Sequence, residues 1–123
     1  MVEAYSAREK DVMILACSGG SNVGQLSNQA AMELTQEGFG KMFCLAGIGG
    51  HLGSFVQSAQ DISSMVAIDG CEVGCVKAIL DHAEIPTQNY LVLTELGIKK
   101  NKDFNLKVDD IQKVKAEVKS VCE

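Results

Sequence analysis

The chain has no excess of positive charge. Eleven Lys and Arg stand against 16 Asp and Glu, for a formal net charge of -5. Nonspecific nucleic-acid binding needs a basic footprint, so that class is not expected here. An anionic membrane surface is disfavoured on the same ground. Long apolar runs are also missing: the longest are strand-length, well short of the roughly 20 residues that cross a bilayer. The stretch Met1–Lys10 is polar and has no apolar signal core, so a cytoplasmic protein is expected. Only one proline occurs, and no low-complexity tract, linker or charge-rich segment of low hydrophobicity divides the chain. Disorder and a second domain are therefore not expected, and residues 1–123 read as a single domain.

What is present is a globular balance, with 46% hydrophobic and 22% charged residues, enough for a real core. Apolar runs alternate with helical patterns. Val12–Ala16 is continuously apolar, as expected of a strand buried on both faces. Ala30, Ala31 and Leu34 recur at helical spacing, and Gly38 supplies a C-terminal stop. Met42–Ala46, Met65–Ile68 and Tyr90–Leu93 read as further strands. Phe55 with Ala59, Val76 with Leu80, and Ile111 with Val114 and Val118 mark the remaining helices. This β-α alternation predicts an α/β fold, a three-layer α/β/α sandwich. Its parallel sheet has about four strands in the order 2-1-3-4, flavodoxin-like or Rossmann-like. Residues 98–107 read as a solvated connection.

Five cysteines in a chain with no secretory signal point to metal or redox chemistry rather than a disulfide framework. Cys17 ends the first strand, and Cys44 and Cys71 follow at equal intervals, each near the end of the next strand. In a parallel sheet all strand C-termini share one edge, where open α/β sheets bind ligands. Cys75 follows in a Cys-x-x-x-Cys pair that falls on the first turn of a helix. A helix N-terminus favours thiolate, and a depressed pKa is expected there. Any one of these cysteines alone is core filler, Cys44 within Phe43-Cys44-Leu45 above all. Together they predict one site of four thiolates, whose net double negative charge on a divalent ion would be stabilised by helix N-termini and glycine-rich backbone. Four sulfurs suit Zn2+, with an iron–sulfur cluster as the alternative. Cys122, near the end of the last helix, reads as a free thiol outside the site.

The tripeptide Asp69-Gly70-Cys71 ties these observations to a family. With Cys17-Ser18-Gly19-Gly20-Ser21-Asn22-Val23-Gly24, Cys44-Leu45-Ala46-Gly47-Ile48-Gly49-Gly50, Cys75 and Leu93-Thr94-Glu95-Leu96-Gly97-Ile98-Lys99-Lys100, the chain resembles the DGC-domain family. That family is regarded as zinc-binding because of four chelating cysteines. The resemblance implies Cys17, Cys44, Cys71 and Cys75 as ligands and supplies no reaction.

Other residues carry two readings each. The loop Ser18–Gly24 could cradle a small anion such as phosphate, although it matches neither dinucleotide nor Walker spacing; its plain role is a tight turn. Ser18, Gly19, Gly20, Ser21 and Asn22 are also candidates to hydrogen-bond thiolates from the outer shell, as is Gly70. Asp69 could act as a base beside a metal-bound water, or simply cap the following helix. His51 could ligate or shuttle protons, or mark a helix entry. His82 reads as a surface residue, and Glu95 falls on the ligand-binding edge. Lys99 and Lys100 suit either solvent or an anionic partner. Three functions compete: a non-enzymatic metal-binding module; a thiol-redox or metal-dependent enzyme using Cys71 and Cys75; and a phosphate- or nucleotide-binding protein using the Ser18–Gly24 loop.

Overall fold

A computed structural model describes residues 12–123; the polar stretch Met1–Lys10 lies outside the described residues. The elements, in order, are β1 (Val12–Ala16), α1 (Asn22–Gln36), β2 (Gly40–Met42), α2 (Leu45–Gly49), α3 (Gly53–Asp61), β3 (Met65–Asp69), α4 (Cys75–His82) and β4 (Tyr90–Val92). A 3-10 turn (Leu93–Leu96) and α5 (Val108–Val121) complete the chain. The four strands form one parallel sheet in the order β2-β1-β3-β4. This is the predicted α/β architecture and the predicted strand order.

Strand alternation sends side chains to two separate cores. Val12 and Ile14 of β1, with Val66 and Ile68 of β3, pack under Leu26, Ala30 and Leu34 of α1 and Ile111, Val114 and Val118 of α5. Met13, Leu15, Met65 and Ala67 face the opposite way, against Ile48 of α2, Ala59 of α3, and Val76 and Leu80 of α4. The central strands β1 and β3 are thus covered on both faces, which is why they read as unbroken apolar runs. No described helix is long and apolar enough to cross a membrane.

One expected strand divides. Met42–Ala46 ends as strand at Met42, and the chain turns into the short helix α2, with Cys44 at its N-cap. β2 is an edge strand paired only through Val12–Ile14 of β1. Packing on the α3 side decides where it stops. A side chain at Gly47 would lie 2.6 Å from the Phe55 ring, so glycine there lets α2 fold tightly onto α3. The apolar residues of Phe43–Ala46 looked like strand because periodicity cannot separate a short buried strand from a short buried helix.

Candidate functional site

All four strand ends open on one edge, and the structure sets each predicted site residue there through a local device. Cys17 follows β1 directly; its backbone N–H donates to the Ile68 carbonyl at 2.9 Å, extending the ladder by one residue. Its sulfur accepts the Gly19 N–H at 3.3 Å. The Ser18–Gly24 loop is closed internally. Ser21 is the N-cap of α1 and accepts the Gly24 N–H at 3.1 Å. The Gln25 amide reaches back to the carbonyls of Ser18 and Gly19 at 3.1 and 2.9 Å. The N–H groups of Ser21 and Asn22 are bonded to the carbonyls of Gly19 and Asn101. Four of the loop's N–H groups, those of Gly19, Ser21, Asn22 and Gly24, are therefore already committed.

The Asp-Gly-Cys segment has a separate task for each residue. Asp69 ends β3 and is 1% exposed. Its carboxylate accepts the Val76 N–H at 2.8 Å, the Lys77 N–H at 3.2 Å and the Tyr90 hydroxyl at 2.6 Å. It closes the first turn of α4 from outside the helix, which is the capping role rather than a free base. Gly70 lies where any side chain would collide with α1: a Cβ would stand 2.8 Å from the Val23 carbonyl carbon and 2.9 Å from the Gly24 nitrogen. Cys71 then emerges half-buried at the edge. Burial, the hydrogen bond to Asp69 and the nearby carboxylates push the Tyr90 phenol well above its usual range.

Cys75 opens α4 as its first residue. The expectation of a depressed pKa is reversed. Partial burial of its sulfur comes first among the causes, followed by the negative charges of Cys17, Asp69 and Cys71. These push the thiol up, and Lys100 opposes them. The helix terminus is outweighed by burial first and then by the neighbouring negative charges. Cys17, Cys71 and Cys75 thus share one electrostatic neighbourhood. Cys44 is exposed at the α2 N-cap and makes no capping bond; it is not core filler. Its flanking residues Phe43 and Leu45 pack with Cys17 on the same apolar cluster. Cys122 lies away from this edge, packed against the α1–α5 core, where burial raises its thiol pKa.

Sequence reasoning passed over the segment after the 3-10 turn. Residues 98–107 form the expected connection, mostly exposed and without helix or strand, and their first part is in addition pinned to α1. Asn22, 8% exposed, donates to the Lys99 carbonyl at 2.8 Å and accepts the Asn101 N–H at 2.6 Å. So held, Lys100 donates to the Cys71 sulfur at 3.3 Å and Lys102 to the Gly20 carbonyl at 2.5 Å. The one signal available was that Lys99-Lys100 closes a motif shared with the family. Beside Asp69, Glu72, Lys77, Tyr90 and Glu95 line a shallow cleft of about 410 Å3.

The DGC-domain profile matches residues 13–118, which spans every strand and every thiol of this edge. The chain belongs to the DGC-domain family. A family relative, the anaerobic and virulence modulator AnvM of Pseudomonas aeruginosa, is 35% identical over 106 residues, 86% of this chain and 81% of the relative. No solved structure matches the chain.

Whether this DGC edge suits a metal can be judged from its donors. All four cysteines are free thiols, and each is at least partly accessible. Soft thiolate sulfur is what zinc selects, so the donor chemistry fits. The arrangement is open: among the described residues, no three His, Cys, Asp or Glu side chains are grouped closely enough to hold an ion.

Proposed function

We propose that this DGC-domain protein is a zinc-binding module that holds one ion through Cys17, Cys44, Cys71 and Cys75 at the C-terminal edge of the sheet. The observation that carries this reading is the proximity of three of the four thiols, Cys17, Cys71 and Cys75, at the strand ends. Cys17 and Cys71 both raise the pKa of Cys75. A bound divalent cation would favour the thiolate form of Cys75 that these neighbours oppose. Lys100, which donates to the Cys71 sulfur, adds a positive charge at the same edge. Four thiolates on zinc leave no open position for a substrate, so the role is binding rather than hydrolysis. Closing around an ion requires the Cys44 turn and the Cys71–Cys75 loop to move toward Cys17. The fold itself rests on two apolar cores and does not depend on the ion, because chains of this size usually fold on such cores alone. A relative named as a modulator is consistent with a regulatory role.

Two rival functions lose support. A redox nucleophile wants a depressed thiol, whereas that of Cys75 is raised. A phosphate cradle wants unengaged N–H groups in the Ser18–Gly24 loop, where several are already bonded.

The test is metal analysis of protein purified under reducing conditions without added metal. One zinc per chain is expected, retained in Cys122→Ser and lost when Cys71 and Cys75 are both replaced by Ser. Visible charge-transfer absorption with iron would indicate an iron–sulfur cluster instead. Chelation should leave the far-UV circular dichroism unchanged while exposing new reactive thiols. Metal-free protein whose thiols react equally before and after chelation would sink the reading.

A further inference from the structure

The chain has two histidines, and the fold brings them together. His51 Nε2 and His82 Nδ1 stand 2.8 Å apart, with the rings nearly perpendicular at 76° and their centroids 4.7 Å apart. We infer that His51 and His82 form a second, histidine-only site for a divalent transition metal, copper or nickel in preference to zinc.

Three features of the backbone support this. His51 adopts a left-handed conformation, φ 57°, just after Gly50 caps α2. Non-glycine residues rarely hold that conformation, and it marks a position worth a functional reading. Next, the two carriers are locked together. α2 packs on α4, with the Ile79 side chain 3.4 Å from where a Cβ on Gly49 would lie. Finally, His82 is the last residue of α4, where the helix dipole is negative and favours a cation.

Ligand chemistry favours the metal. At 2.8 Å the facing nitrogens are joined by an ordinary hydrogen bond, so they already stand close enough to become adjacent ligands of one ion. Imidazole ligands without thiolate suit Cu2+ and Ni2+, and affinity peaks at Cu2+ and falls again at zinc. Each facing nitrogen must present its lone pair, so the ring that donates in the present His–His hydrogen bond changes tautomer, its proton passing to the outer nitrogen, and both neutral imidazoles then carry their N–H outward. Both side chains are exposed, so water completes the shell. The pair lies at the opposite end of α4 from Cys75, about 10 Å along an eight-residue helix. It is therefore independent of the thiol edge.

The experiment is Ni2+ titration followed by imidazole 1H–15N spectra, which hold signals from only these two side chains. It is run on the native chain and on a chain with Cys17, Cys44, Cys71 and Cys75 replaced by Ser. Both histidines should respond together with one-to-one stoichiometry in each background. His82→Gln should weaken Ni2+ at His51 by at least about tenfold, the scale of losing even an outer-shell partner. Cu2+ should bind more tightly than Ni2+, and both more tightly than zinc. Independent responses of the two rings, or unchanged affinity in His51→Gln and His82→Gln, would overturn the site. If the four-Ser chain does not fold, the native chain and the two histidine variants decide alone. Failure of the thiol site would leave these signals untouched.

Discussion

Asp69 joins β3, α4 and β4 through one buried carboxylate. It is buried, charged and bonded to two helix N–H groups and a tyrosine hydroxyl. Such a carboxylate is stable only because each partner is in place. Asp69→Ala should cost about 3 kcal/mol, since it leaves buried donors without an acceptor. Asp69→Asn should cost less, because the amide oxygen can still accept from α4. Tyr90→Phe should cost about 2 kcal/mol, the value of a hydrogen bond to a charged group. Urea unfolding of the three variants checks the ranking. Tyr90 also has a pH signature. Its folded pKa is raised, so its contribution is complete below the ordinary tyrosine value of about 10 and is lost only as pH climbs toward the folded value. Tyr90→Phe should therefore destabilise equally at neutral pH and at pH 9. An equal cost for Asn and Ala at position 69 would contradict the capping role.

At the scale of elements, the segment carrying Lys99–Lys102 is the least expected part of the edge. It has few apolar anchors and is held by Asn22 at the start of α1. Asn22→Ala should cost about 1–2 kcal/mol through the two lost side-chain bonds. Its local effect should be larger: tryptic cleavage at Lys99, Lys100 and Lys102 should rise, and the Asn101 amide should exchange faster with solvent. Asn22→Asp keeps the acceptor for Asn101 and loses the donor to Lys99, so it should fall between. Cleavage unchanged in Asn22→Ala would show that the segment is held by something else. Because Lys100 rides on this segment, the proposed zinc site predicts that the same variant weakens metal retention without touching a thiol.

For the whole molecule, one polar network joins the layer of α1 and α5 from within. Lys115, 7% exposed, bonds Glu33 at 2.9 Å and also Glu37. Glu33 is held below its ordinary pKa first by Gln29 and then by Lys115, and Glu37 by Lys115; Lys115 is raised by Glu37 and then Glu33. The signs give two flanks. The depressed carboxylates contribute stability above their unfolded value of about 4.3, lost as pH falls through the folded values. The raised lysine contributes below its unfolded value of about 10.4, lost as pH rises through the folded one. Thermal melts of Lys115→Met against the parent should therefore differ by a constant amount at mid pH. The difference should shrink in acid and in strong alkali. A difference that grows on either side would contradict the network.

The architecture was legible in the sequence because a two-faced parallel sheet requires unbroken apolar strands, and Val12–Ala16 and Met65–Asp69 are such strands. The phase of Cys17 and Cys71 at strand ends followed from the same regularity. The sequence by itself thus determined the α/β class, the strand order and the strand-end positions of Cys17 and Cys71. Three matters were decided only by tertiary structure. Phe43–Ala46 left the strand state because α2 packs onto α3, a contact between segments that no local pattern encodes. The Cys75 thiol was raised because packing partly buries it and sets Cys17, Asp69 and Cys71 beside it, outweighing the local helix terminus. Lys100 reached Cys71, and His51 reached His82, through pairings set by how α1 holds a loop and how α2 meets α4. Periodicity reports which face of an element is buried; it carries no information on which polar groups from separate elements meet at the sheet's edge, because that depends on distances fixed only when the layers close.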